Sequence, residues 1–105
     1  ALPFRVHQGA ITDTPPVEVL QKEVAFEVDE VVVGGGKRVT ERRATAWQSA
    51  QDDGLSFVYS QKEMQPSSQG YTPHVARVAA ACSAIATADL QTPTTYDGVL
   101  LNLYP

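Results

Sequence analysis

One apolar stripe constrains this chain more than any other feature. Val75, Val78, Ala79, Cys82, Ile85 and Ala86 recur at helical spacing behind Thr72-Pro73. Thr72 can cap such a helix, and Pro73 fits its first turn, where the missing N–H would be unpaired anyway. Elsewhere the period drops to two. Val24, Phe26 and Val28 alternate with Ala25, Glu27 and Asp29, and Val31-Val32-Val33 extends the run. A long helix with one apolar face beside half-buried strands predicts helix packed on sheet.

The remaining segments fill in an order. Residues 2–11 read as a short strand with a bend at Gly9. Asp13-Thr14-Pro15-Pro16 opens a helix over 15–22, with Thr14 as cap and Val17, Leu20 and Val24 at helical spacing. Gly34-Gly35-Gly36 is expected to turn a hairpin, because glycine reaches positive φ at little steric cost. The return strand is expected over 38–47, a polar loop over 48–54, an aromatic strand over 55–60 and a loop over 61–70. A loop over 91–95 leads into a last strand over 98–104. The order is strand, helix, hairpin, strand, helix, strand, which is α+β rather than alternating βαβ. The triple glycine is no phosphate loop: Lys37 is followed by Arg38, and no helix pattern follows.

At 105 residues the chain has room for one domain, and 43% hydrophobic with 19% charged residues is ordinary for a globular protein. The net charge of −4 gives no general attraction to nucleic acid or anionic lipid, so any such contact needs a local basic patch. Cys82 is the sole cysteine, which excludes an intrachain disulfide and is expected to be a buried structural thiol. No apolar run approaches the roughly 20 residues of a membrane span. The N-terminus lacks a signal-peptide pattern, so the expected location is intracellular, nucleus or cytoplasm, with no membrane partner.

Catalytic constellations are sparse. His7 and His74 are the only histidines, and neither has an acidic or histidine neighbour at metal-ligand spacing. They read as two surface histidines. In Lys37-Arg38-Val39-Thr40-Glu41-Arg42-Arg43, a strand would place Arg38, Thr40 and Arg42 on one face and Lys37, Glu41 and Arg43 on the other. Beside Trp47 these ridges could track a phosphate backbone, or form a solvated hairpin with Glu41 paired locally. Phe57 and Tyr59 share a strand face, as a stacking platform for an extruded base or as core.

Taken in order, these segments resemble the AlkB-like oxygenases, which use iron and 2-oxoglutarate to dealkylate nucleic acid oxidatively. The resemblance rests on Arg43-Ala44-Thr45-Ala46-Trp47, then Phe57-Val58-Tyr59-Ser60, then Thr72-Pro73. It closes on Tyr96-Asp97-Gly98-Val99-Leu100-Leu101-Asn102-Leu103-Tyr104, and spans roughly residues 38 to 105. It implies that Asn102 and Tyr104 bind 2-oxoglutarate, that Arg43 and Ser60 contact substrate, and that Tyr59, supported by Phe57, stacks on the base. The glycine hairpin would edge a nucleotide-recognition lid. Three positions depart from the family: Arg42 stands where proline is common, Gln48-Ser49 where Tyr-Gly is frequent, and Asp97 where asparagine is. They leave DNA, RNA, protein or lipid open as substrate.

The family's His-x-Asp pair, distal histidine and C-terminal arginine are not in this sequence. The resemblance therefore implies one partial domain over 1–105: strand and helix over 1–23, hairpin lid and aromatic strand over 24–70, helix and first core strand over 71–105. That last strand would begin a double-stranded β-helix (jelly roll) left incomplete here. The parent would be a demethylating DNA- or RNA-repair dioxygenase with Fe(II) and 2-oxoglutarate. This chain alone is expected to bind no iron and to be inactive. Its exposed last strand would pair with a C-terminal remainder of the domain or self-associate. The alternative is a small non-catalytic module that binds nucleic acid or another partner.

Overall fold

The computed structural model describes residues 4–28, 30–51, 56–59 and 62–105. Its elements are α1 (Val17–Glu23), β1 (Glu30–Val33), β2 (Lys37–Thr40), β3 (Ala44–Ser49), β4 (Phe57–Tyr59), β5 (Lys62–Met64), α2 (Pro73–Leu90) and β6 (Gly98–Leu103). The architecture is α+β, two helices with short antiparallel strand pairs. Among the described residues the strands form three separate ladders, β1–β2, β3–β6 and β4–β5, and these compose no double-stranded β-helix.

α2 follows the apolar stripe. Thr72 is extended at the N-cap, Pro73 opens the first turn, and Gln91 closes the helix in the left-handed region at φ 54°. α1 begins two residues later than its sequence pattern. Pro16, not Thr14, is the N-cap, because Pro15 precedes a second proline and is biased out of helical geometry. The Pro16 carbonyl then receives the Val19 and Leu20 amides.

Three expectations need correction. No strand forms over residues 4–11: Phe4 and Val6 are exposed, and among the described residues no strand pairs with this segment. Arg5 and His7 instead tie this segment to Asp89 in the last turn of α2, at 3.3 and 2.5 Å. The return strand breaks at 41–43. The hairpin register runs from Val33↔Lys37 to Glu30↔Thr40, and β2 stops at Thr40. After that break β3 pairs with β6 rather than with β1, from Ala44↔Leu103 to Ser49↔Gly98. Finally, the expected 61–70 loop contains β5, held against β4 by Phe57↔Met64 and its neighbours. Lys62-Glu63-Met64 has no strand pattern of its own, and the pairing supplies it.

The triple glycine does turn the β1–β2 hairpin, with Gly35 and Gly36 at positive φ. The core lies between the β3–β6 ladder and the first half of α2. Val24, Ala46 and Val75 are buried together, with Leu20, Phe26, Tyr71, Val99 and Leu101 packed around them. On the other face of the ladder Trp47 stacks on Phe57, centroids 4.8 Å apart and 23° between planes. Its indole lies over Gly98, where a Cβ would overlap the ring atoms Cη2 and Cζ2. Glycine at 98 is thus required by a close approach rather than by a turn.

Candidate functional site

The β3–β6 register assembles three of the expected site residues. Thr45 faces Asn102 and Ala44 faces Leu103, so Arg43 and Tyr104 meet just beyond the paired segment. Arg43 Nη1 lies 3.5 Å from the Tyr104 hydroxyl, and Arg43 Nε donates to Glu41 Oε2 at 3.2 Å. Asn102 is exposed, and Tyr104 is 66% exposed. Strand alternation puts Asn102 and Tyr104 on one face, the one opposite α2. A guanidinium, a phenol and a primary amide at one open end of a ladder form a donor set suited to a carboxylate.

The aromatic and basic expectations fare differently. Phe57 lies against Trp47, so this ring face serves internal packing. The side chain of Tyr59 and all of Ser60 lie outside the described residues. The two basic ridges do not form, because the strand breaks after Thr40 and separates Arg38 from Arg42 and Arg43. Two of the four basic residues also have acidic neighbours: Arg38 lies 3.9 Å from Glu30, and Arg43 pairs with Glu41.

The histidines are not bare surface groups. His74 Nδ1 lies 3.0 Å from Glu23 Oε1, and the His74 backbone N–H donates to the same carboxylate at 3.2 Å. Glu23, from α1, thus satisfies an amide in the first turn of α2. Burial pushes the Glu23 carboxyl up, but the hydrogen bonds and charge of His74 outweigh it, and the net direction is down. Asp89 is held below the usual range mainly by its hydrogen bond from His7, with Arg5 adding charge. Buried Gln48 completes the α2 terminus: its Oε1 accepts from the Thr72 N–H at 3.0 Å and the Thr72 hydroxyl at 3.1 Å. Gln48 falls in the expected 48–54 loop yet lies in β3; a polar residue beside Trp47 carries no sign of its partner 24 residues away.

Two cavities flank the ladder. The first, about 460 Å³, has apolar walls from Leu20, Val75, Val78, Cys82, Val99 and Leu101. Cys82, expected to be buried, is half-buried in this wall and is a free thiol. The second, about 470 Å³, is mixed, with Glu27, Glu30, Glu63, Thr45, Trp47 and Met64 around it. Among the described residues no group of three histidine, cysteine or acidic side chains could hold a metal ion, and no helix is long and apolar enough to cross a membrane.

Neither a family model nor a curated protein matches the chain.

Proposed function

We propose that this chain carries the 2-oxoglutarate contacts and part of the substrate surface of an AlkB-like dioxygenase that dealkylates DNA or RNA. The observation that supports this reading most is the meeting of Arg43 and Tyr104 at the end of the β3–β6 ladder that also carries Asn102, with Arg43 Nη1 3.5 Å from the Tyr104 hydroxyl. In that reading β6 is the first strand of the double-stranded β-helix, and the β1–β2 hairpin borders the substrate as its lid.

The chain's own residues would bind and orient. Arg43, steadied by Glu41, offers charge to a carboxylate; the Tyr104 hydroxyl and the Asn102 amide donate to its oxygens. Iron would supply oxygen activation in such an enzyme. The described residues do not fit it: His7 and His74 belong to separate acid pairs at opposite ends of α2, and an iron site needs two histidines and a carboxylate converging. No chemical step is therefore assigned to this chain alone.

Calorimetric titration with 2-oxoglutarate tests the reading. Binding is expected in roughly the 0.1–1 mM range, weakened about tenfold or more by Arg43→Ala and several-fold by Tyr104→Phe. Succinate release is expected to stay at the level of a protein-free control. Absent 2-oxoglutarate binding, together with salt-dependent oligonucleotide binding that Arg43→Ala and Tyr59→Ala abolish, would replace this reading with the non-catalytic module.

A further inference from the structure

We infer that the mixed cavity between β3 and β5 is a binding site for a small aliphatic diamine. The site does not depend on the dioxygenase reading, since Arg43, Asn102 and Tyr104 are all absent from its lining. Its shape follows from how the outer edge of β3 is covered. Two segments are fastened to that edge in turn. Glu27 exchanges both backbone hydrogen bonds with Thr45, at 2.8 and 2.9 Å, and Ser67 donates its N–H to the Trp47 carbonyl at 2.8 Å. The first segment runs on into β1, and the second comes from β5. The cavity, about 470 Å³, is bordered by Glu27 and Glu30 from the first, by Glu63 and Met64 from the second, and by Thr45 and Trp47 of β3.

Thr45 is the decisive residue. Residues directly opposite in an antiparallel pair carry their side chains on the same face. The Glu27 side chain therefore leaves the backbone beside that of Thr45, and both line the cavity. Thr45 is only 5% exposed, and its hydroxyl has no hydrogen-bond partner among the described residues. A buried hydroxyl in that state is uncommon, because its desolvation goes uncompensated. Its oxygen can accept a hydrogen bond from a donor seated in the cavity.

The charges around it specify what kind of donor. Glu27, Glu30 and Glu63 border the cavity, and no lysine or arginine is among its described lining residues. Arg38 lies 3.9 Å from Glu30, and the Gln65 amide donates to Glu63 Oε1 at 3.2 Å. Glu27 has no side-chain partner among the described residues, and the whole chain carries a net charge of −4. A cation is therefore the matching guest. A bare metal ion is not, because among the described residues no three acidic, histidine or cysteine groups converge on one point. The acids belong instead to two segments, and Ala25, Met64 and Pro66 add carbon to the lining. Two ammonium heads on a methylene chain meet both conditions. One head sits at Glu27 and donates to the Thr45 hydroxyl, the other sits at Glu63, and the methylenes lie on Met64 and Pro66. The cavity volume is of the size that small-molecule sites have.

Calorimetric titration of the whole chain with 1,4-diaminobutane is the test, with butylamine and magnesium chloride at matched ionic strength as comparisons. A Kd in roughly the 0.1–1 mM range is expected for the diamine, with butylamine about fivefold weaker or more and no saturable binding of magnesium. Met64 is the only methionine and Trp47 the only tryptophan, so the methionine methyl resonance and the tryptophan emission both report from this cavity. Both should shift saturably with the calorimetric Kd. Glu27→Gln is expected to weaken diamine binding about fivefold and Thr45→Val about threefold, with the circular dichroism unchanged. If Thr45→Val fails to fold, the Met64 methyl signal of the unaltered chain decides. Butylamine or magnesium binding as tightly as the diamine overturns the proposal and reduces it to general attraction of cations to an acidic chain. A Met64 methyl that stays fixed at saturating diamine overturns it as well.

Discussion

Gly98 and Glu23 carry the sharpest consequences at the scale of single residues. The Trp47 ring that lies against Gly98 is also stacked on Phe57, so making room for an added methyl would disturb that stack. Gly98→Ala is expected to cost about 1–3 kcal/mol and to shift tryptophan emission, read in a urea titration. Glu23 governs acid sensitivity. Its folded-state pKa lies below the unfolded value, so between the two the unfolded chain binds more protons. The stability it contributes is whole above the ordinary carboxylate range and disappears as pH falls through the depressed value. Asp89 acts in the same direction. The urea midpoint should therefore fall between about pH 6 and pH 3, and Glu23→Gln should flatten part of that fall. The His74–Glu23 contact was not legible in the sequence. The partners are 51 residues apart, and neither lies in a local motif.

At the scale of elements, α2 shows what local pattern can and cannot say. Its start, its apolar stripe and its end near Gln91 follow from Thr72-Pro73 and the helical period. How its N-terminus is satisfied does not. The Thr72 hydroxyl makes no capping bond to the helix; Gln48 from β3 accepts the Thr72 amide and hydroxyl, and Glu23 from α1 accepts the His74 amide. Gln48→Ala should consequently cost about 1–3 kcal/mol by stranding the Thr72 amide, with the loss of exchange protection concentrated in the first turn of α2. Strand boundaries were equally non-local. The apolar and basic run through 38–47 looks continuous, yet β2 pairs with β1 as far as Thr40, and from Ala44 onward the partner is β6.

For the molecule as a whole, the governing fact is how little is buried. The radius of gyration is 15.7 Å, against about 13 Å for a compact domain of this length. Full burial of apolar side chains is limited to Val24, Ala46, Met64, Val75 and Ala79 among the described residues. So small a described core gives a marginal fold. The α+β class, the long helix, the glycine hairpin and the strandlike ending were determined by the sequence alone, because period, proline and glycine act within a few residues. Tertiary structure alone decided that β3 pairs with β6, that Arg43 meets Tyr104, and that the histidines have acidic partners. Each depends on contacts between residues tens of positions apart, whose geometry follows from how helix and ladder pack and leaves no local trace.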